Sequence, residues 1–388
     1  MRILGIETSC DETAVCLLEA EGDFGTDFSY KILGNALASQ AAMHAEYGGV
    51  FPNLAKREHA RNLVPMLELA LREAAELKSG TTIYDSEIEN MLEKEKELLP
   101  ILKSFFESHA RPNVDAITVT VGPGLEPALW VGVNFAHALS ITWDIPVVAV
   151  NHMEGHIVIS MIDLRGQSSG KLAEFEFPAL ALLISGGHTE LILMKEFGSY
   201  KYIGRTRDDA AGEAFDKVAR MLGLPYPGGP HISRLAEEAR STKQESRIKL
   251  PRPMLHEKNY DFSFAGLKTA VLRLVQAEKT LSEDFKKRVA CEFEDAVTDV
   301  LVEKTLRASD DYGVKTIIVG GGVSANSHIK ATLRKQAEEV GTKLLISPLE
   351  FATDNAVMIA LAGYFHALKK EFADAKELIA RGDLKLGK

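Results

Sequence analysis

The sequence predicts an α/β protein of two duplicated lobes, each built on a mixed sheet, with a helical hairpin inserted in the first. Three observations carry this reading. A strand, a polar turn and a second strand open the chain as Ile3 to Ile6, Thr8-Ser9-Cys10-Asp11-Glu12-Thr13 and Ala14 to Leu18. The same unit returns as Leu180 to Ile184, Ser185-Gly186-Gly187-His188-Thr189 and Leu191 to Met194, which marks an internal duplication. Each unit is followed by strands alternating with helices, which places the two polar turns facing one another across a cleft.

The remaining elements follow in order. Residues 78–110 stand apart: after the breaker Lys78-Ser79-Gly80-Thr81-Thr82, the residues Ile88, Met91, Leu92, Leu98, Leu99, Leu102 and Phe105 recur at helical spacing, with Pro100 as a break. Asp115 to Val121 is a strand that ends in Gly122-Pro123-Gly124; a helix from about Ala128 to Trp143 and a strand at Pro146 to Val150 come next. Gln167-Ser168-Ser169-Gly170 is the best linker in the chain. Asp208 or Asp209 can cap a helix with the stripe Ala211, Ala214, Phe215, Val218, Met221 and Leu222, closed by Gly223 before Pro225. Thr316 to Val319 is a strand running into Gly320-Gly321-Gly322, with Ser324 and Asn326 opening the next helix, and a last helix covers about Asn355 to Lys369. The expected division is a first lobe over 1–165, a second over 171–353, and a C-terminal segment, 354–388, whose helix returns to the first lobe.

Composition excludes several classes. A chain of 388 residues can bury a core without disulfides or structural metals. Cys10, Cys16 and Cys291 form no Cys-x-x-Cys spacing, which excludes a disulfide framework or a cysteine-ligated zinc and fits a reducing compartment. Glu7 falls too early for a signal-peptide core and no apolar stretch would span a bilayer, so the protein is expected to be cytoplasmic. A net charge of −10 does not by itself suggest a nucleic acid, whose phosphates call for clustered Lys and Arg. Local basic groups exist at Lys243, Arg247, Lys249 and Arg252, and at Lys286, Lys287 and Arg288; such runs are ordinarily solvated faces.

Four constellations carry chemical content. In His152-Met153-Glu154-Gly155-His156 the two imidazoles stand at i and i+4, on one helix face, where both could reach one metal ion. A zinc peptidase needs Glu directly after the first His; Met153 stands there, which disfavours that reading. The turns Ser185-Gly186-Gly187, Gly228-Gly229 and Gly320-Gly321-Gly322 could let main-chain amides approach phosphate oxygens, or could each be a tight turn; none is a P-loop. Asp11, Glu12, Asp216 and Asp354 are carboxylates at candidate cleft positions. Asp11 and Glu12 lie in a turn with no helix to cap, where each is either a solvated turn acid or a base or metal-positioning group. In Phe262-Ser263-Phe264-Ala265-Gly266-Leu267-Lys268 the aromatic pair reads as core, and Lys268 as a surface lysine.

Nine motifs in order carry a resemblance: Gly5-Ile6-Glu7-Thr8-Ser9-Cys10-Asp11-Glu12-Thr13, His44-Ala45-Glu46-Tyr47-Gly48-Gly49-Val50-Phe51-Pro52, His152-Met153-Glu154-Gly155-His156, Ser185-Gly186-Gly187-His188-Thr189, the run from Asp208 to Lys217, Tyr226-Pro227-Gly228-Gly229-Pro230, Asp261-Phe262-Ser263-Phe264, Gly321-Gly322-Val323-Ser324-Ala325-Asn326 and Thr353-Asp354-Asn355. From Met1 to about Gly363 the chain resembles the tRNA N6-adenosine threonylcarbamoyltransferase family, of the two-lobed actin-like ATPase superfamily. The resemblance implies that His152, His156 and Asp354 hold an iron or zinc ion. It also implies that Leu183, Ile184, Ser185, Gly186, Gly187, Asp216, Gly229 and Asn326 bind an adenine nucleotide, either the threonylcarbamoyl-AMP donor or ATP. Asp11 and Glu12 would lie near the reacting centre, with Asp11 the first choice of base. The acceptor would be adenosine 37 of tRNAs reading codons that begin with adenine, and the partners a related actin-like subunit and a small ATPase.

The chain departs from the family pattern in the length of 78–110, in Glu126-Pro127 and in the tail from Lys376 to Lys388. A small-molecule kinase of the same superfamily would use the glycine turns without needing the two histidines. A non-catalytic scaffold subunit would lose the metal ligands, yet all three stand here.

Overall fold

The computed structural model describes residues 1–25, 27–164, 168–242 and 248–387. They divide into two compact units, Met1–Glu174 with Thr353–Leu386, and Phe175–Ala352. Among the described residues no helix is long and apolar enough to cross a membrane.

The first unit runs β1 (Arg2–Glu7), β2 (Glu12–Glu21), β3 (Ser29–Ser39), α1 (Ala41–Ala45), α2 (Pro52–Glu73), α3 (Glu87–Met91), α4 (Leu98–Ser108), β4 (Ala116–Gly122), α5 (Glu126–Trp143), β5 (Val147–Asn151), α6 (His152–Ser160), β6 (Ile162–Leu164) and β7 (Ser169–Leu172). Its strands lie in the order β5-β4-β1-β2-β3-β7-β6. The second unit runs β8 (Ala179–Ile184), β9 (Thr189–Met194), β10 (Tyr200–Arg205), α7 (Ala211–Met221), α8 (Gly228–Ser241), α9 (Ala265–Ala277), α10 (Glu283–Asp311), β11 (Thr316–Gly320), α11 (Ser327–Glu339) and β12 (Lys343–Ile346), in the order β10-β9-β8-β11-β12. The chain then returns to the first unit with α12 (Ala356–Leu368).

The duplication holds over five strands of each sheet, with β7 and β6 added to the first beyond β3. In each unit the opening hairpin is antiparallel, a third strand extends it on one side, and two parallel strands extend it on the other. Central strands β4, β8 and β11 are buried along their whole length. Their Ala, Val, Ile and Leu runs do not alternate because helices or loops cover both faces.

Three local expectations change. Over 78–110 the structure holds a single turn, α3, and one longer helix, α4, rather than a hairpin of two arms. Ile88, Leu92, Leu98, Leu102 and Phe105 are buried as their spacing requires. Pro100, however, sits in the first turn of α4, where its missing N–H costs nothing, so the break falls before Leu98. The stretch read as a linker is not one: Ser169 and Gly170 begin β7 and pair with Lys31 and Tyr30 of β3, while Gln167 and the expected boundary at 165 lie outside the described residues. Neither Asp208 nor Asp209 caps α7, whose N-cap is Ala210. Asp208 accepts the amides of Phe264 and Ala265, and Asp209 pairs with Lys217 and Lys268. Two carboxylates that precede a helix are here used to pin a neighbouring loop and two lysines instead.

The α12 helix lies directly on the sheet of the first unit. A Cβ at Gly5 would come within 2.5 Å of the Ala356 carbonyl oxygen, and one at Gly363 within 2.2 Å of Thr118 Cγ2. Gly5→Val should therefore push the helix off β1 and cost about 2–3 kcal/mol. Chemical denaturation would show the loss, and an unchanged midpoint would mean that the contact tolerates a side chain.

Candidate functional site

In the first unit β5 runs without a loop into α6. Asn151 makes the transition possible, because its Oδ1 accepts the amides of Met153 and Glu154 at 2.9 and 3.4 Å and caps the new helix. The helix therefore starts at His152, which puts His152 and His156 one turn apart on the same face. Their rings meet edge to face with centroids 4.8 Å apart. Both are buried, His156 completely. Glu154 points elsewhere, to His366 Nε2 at 2.8 Å, as the helical spacing requires.

Asp354 reaches this pair from the segment before α12. Its Oδ1 lies 3.3 Å from His152 Nε2 and 3.1 Å from His156 Nε2. One donor atom from each of the three residues falls within 4.8 Å of the other two. The three residues singled out in the sequence thus converge. Two imidazole nitrogens and one carboxylate oxygen at this spacing suit a borderline divalent cation and leave coordination positions for another ligand.

The residue that sequence reasoning passed over is Glu7. It is fully buried at the end of β1, and its Oε2 lies 3.0 Å from His152 Nδ1. The carboxylate is itself held by the Thr120 hydroxyl at 2.6 Å and the Ser9 amide at 2.5 Å. With Nδ1–H donating to Glu7, Nε2 of His152 is the nitrogen presented to Asp354. The available signal was a carboxylate at a strand position expected to be buried.

Charge accumulates here. Burial opposes a proton on His152, but Asp354 and Glu7 outweigh it and hold its pKa well above the usual histidine range. Burial would raise the Asp354 pKa, yet the two histidines hold it well below the carboxylate range. Glu12 is pushed up to about 10 by burial and by the charges of Asp354, Asp11 and Glu7. Glu12 is therefore within electrostatic reach of both Asp354 and Asp11. A cation between the imidazoles and Asp354 would offset this concentration of acidic side chains.

In the second unit the Ser185-Gly186-Gly187 and Gly320-Gly321-Gly322 turns lie at the carboxyl ends of β8 and β11, where ligands of α/β sheets are ordinarily held, and Gly228-Gly229 opens α8 against α7. Ser185 closes its turn by donating N–H to the His188 carbonyl and accepting the His188 amide on Oγ. A Cβ on Gly212, in the first turn of α7, would meet the Ser185 carbonyl at 2.6 Å, and one on Gly321 would meet that of Ile184 at 2.5 Å. Gly186, Gly187 and Gly229 are different: nothing lies within 4 Å of where their Cβ atoms would be. Their open faces leave room for a ligand against the main chain.

The other residues assigned to nucleotide binding divide. Asp216 accepts the Gly228 amide at 2.7 Å and so fixes the start of α8 beside α7. Leu183 and Ile184 are fully buried, so any contribution from them is confined to the main chain. Asn326 caps α11 by accepting the Ile329 amide, and its Nδ2 donates to Ser233 Oγ and Glu294 Oε1. Phe262 and Phe264 are core, as expected, and Lys268 pairs with Asp209. A polar recess of about 480 Å³ opens beside the Ser185 turn, lined by His188, Arg205, Arg207 and Asp261 among others. It shares only Gly187 with the predicted set.

Among the basic residues, Arg252 pairs with Glu292 and Asp299, Lys286 with Glu283, and Lys287 with Glu238. Lys243 and Arg247 lie outside the described residues.

Two units that share one five-strand order, one ending in glycine turns and one carrying two histidines and an aspartate, define a protein of the actin-like ATPase fold. HypF, solved in a phosphate- and nucleotide-bound form, shares that fold with a TM-score of 0.52 at 12% identity, over 96% of this chain and 47% of its own. The chain belongs to the TsaD family, tRNA N6-adenosine threonylcarbamoyltransferase, whose model matches residues 31–81 and 93–361. Proteins of that name from Bacillus thuringiensis (strain Al Hakam) and Persephonella marina are 44% and 41% identical over 93% and 94% of this chain and 90% of their own. The unmatched stretch, 82–92, contains α3, whereas α4 falls inside the match.

Asn326 and Ser233 share Glu294 with Arg240, which is 2.6 Å from its Oε2; Glu294 itself is 1% exposed. Removing the cation by Arg240→Ala leaves a buried charge held only by neutral donors. It should cost about 3 kcal/mol in denaturant unfolding. A loss below a tenth of that would show that Ser233 and Asn326 suffice.

Proposed function

We propose that this chain transfers a threonylcarbamoyl group from threonylcarbamoyl-AMP to N6 of adenosine 37 in tRNAs that read codons beginning with adenine. The observation that carries the reading is the convergence of His152, His156 and Asp354 in a chain of this family. Iron or zinc suits the two imidazoles and one carboxylate. When bound, such an ion supplies Lewis acidity to a substrate oxygen. Glu7 would orient His152 toward it, and the second unit's open glycine faces would take the phosphate of an adenine nucleotide, the adenylate donor or ATP.

The exocyclic amine of adenosine is a poor nucleophile because its lone pair is delocalised into the ring. As it attacks the carbamoyl carbon, a C–N bond forms, the bond from that carbon to the phosphate oxygen breaks, and AMP leaves with the electron pair. The amine proton must go to a base. Asp11, on the turn between β1 and β2, is assigned that role ahead of its rival Glu12, whose raised pKa keeps it protonated. The reading places the protein in the cytoplasm, working with a related actin-like subunit and a small ATPase.

Mass spectrometry of nucleosides from tRNA incubated with the protein, the adenylate and candidate partners tests the reading directly; absence of threonylcarbamoyladenosine under all combinations would sink it. Asp11→Asn should lower the transfer rate by about 100-fold or more while leaving donor affinity near that of the wild type. Near-normal transfer would remove Asp11 from the role.

The metal has its own readout. Zinc or iron should remain at one equivalent after dialysis and be absent from His152→Ala/His156→Ala. Glu7→Gln should weaken metal affinity by about 10–100-fold. Equal metal content in all three proteins would remove the ion from this site.

A further inference from the structure

The motif from His44 to Pro52 has no place in the chemistry above, yet it is built around two buried histidines and displays two exposed aromatic rings. Tyr47 and Phe51 are 63% and 52% exposed. Their rings lie at 28° to one another with centroids 6.0 Å apart. Large aromatic side chains exposed as an ordered pair point to a ligand with a flat face.

The loop that carries them is fixed from below. His44 is fully buried, and its Nδ1 accepts the Phe51 amide at 3.3 Å. Its other nitrogen, Nε2, must then carry the proton, which it donates to Gln40 Oε1 at 3.2 Å. The His44 carbonyl accepts the amides of Tyr47 and Gly49, and Gly48 turns the chain at φ +68°. Gln40 and His59 continue the network into the catalytic turn. The Gln40 amide donates to the Asp11 carbonyl at 2.9 Å, and His59 Nε2 donates to the Cys10 carbonyl at 3.0 Å. His59 Nδ1 is left as an acceptor, taking the Thr13 hydroxyl at 2.8 Å and Gln40 Nε2 at 3.4 Å. One continuous set of hydrogen bonds thus links the backbone of Phe51 to the backbone of Cys10 and Asp11.

We propose that the Tyr47–Phe51 pair is a stacking platform for an unpaired tRNA base beside the adenosine that receives the threonylcarbamoyl group. The inference rests on the function proposed above and adds a subsite to it. Three observations favour RNA over a protein occupant. The platform is tied to the turn that carries Asp11, so whatever lies on it is held in register with the reaction; only the substrate needs that register. Bases of a single-stranded loop can be splayed onto aromatic side chains whatever their sequence. The chain carries a net charge of −10, and Arg252, Lys286 and Lys287 are each paired with carboxylates, which leaves stacking a larger share of the grip.

The test uses the full chain in the transfer mixture, with Tyr47→Ala, Phe51→Ala, their double variant, and the aromatic exchanges Tyr47→Trp and Phe51→Tyr. Each alanine variant should raise the KM for tRNA by about 10-fold, the double variant more, with the KM for the adenylate and the melting temperature unchanged. The aromatic exchanges should restore near-wild-type values, which a merely structural role would not produce. A 2-aminopurine placed next to the acceptor adenosine should be quenched by the wild type and not by the double variant. An unchanged KM for tRNA in the double variant overturns the proposal, and loss of binding to a partner protein instead would make the face a protein interface. If the wild type itself forms no modified nucleoside, the transferase reading fails, and this inference with it.

Discussion

Helix α12 rests so closely on β1 and β4 that only glycine is accommodated at positions 5 and 363, where backbone oxygen or a threonine methyl fills the space a side chain would need. This contact fixes more than a helix. Asp354 stands two residues ahead of α12 and is separated in sequence from His156 by 198 positions. Its carboxylate reaches the imidazoles because the helix behind it has nowhere else to lie. Gly155 belongs to the same arrangement, with Met358 and Ile359 packed against it, so α6 and α12 approach each other along the face that carries both histidines. Glu154 and His366 add a polar clasp on another side of the pair.

The duplicated units show how one topology takes on two chemistries. In each, the turn between the first two strands is the variable part. Between β1 and β2 that turn holds Ser9, Cys10 and Asp11, with Glu7 just before it and imidazoles close by. Between β8 and β9 it holds Ser185, Gly186, Gly187 and His188, with no carboxylate among the four and two glycines at its centre. The first presents side chains, the second presents main chain. This difference in what the backbone exposes follows from glycine content alone.

Much of this was legible from the sequence because it depended on periodicity. Two hairpins with polar turns gave the duplication, the i and i+4 histidines gave a shared face, and apolar runs such as Ala179–Ile184 gave the buried strands. What escaped depended on long-range pairing. Glu7 reads as one more residue of a strand, and only the fold sets it against His152. Asp208 and Asp209 stand where helix caps stand, yet loop amides more than fifty residues away claim Asp208, and Lys217 and Lys268 claim Asp209. Asn326 opens α11 as the sequence suggests, but its contact with Glu294 is visible only in the fold. Pro100 looked like a break because a proline has no N–H, but the first turn of a helix does not use one.

The placement of the second unit within the sequence of the first has a consequence for biosynthesis. His152 and His156 leave the ribosome about two hundred residues before Asp354, and the whole second unit is made between them. The nascent chain therefore carries two imidazoles without their carboxylate until the second unit has emerged. A three-residue cluster of this design is closed only after that, so a polypeptide that stops before residue 354, however well its second unit has folded, lacks the aspartate.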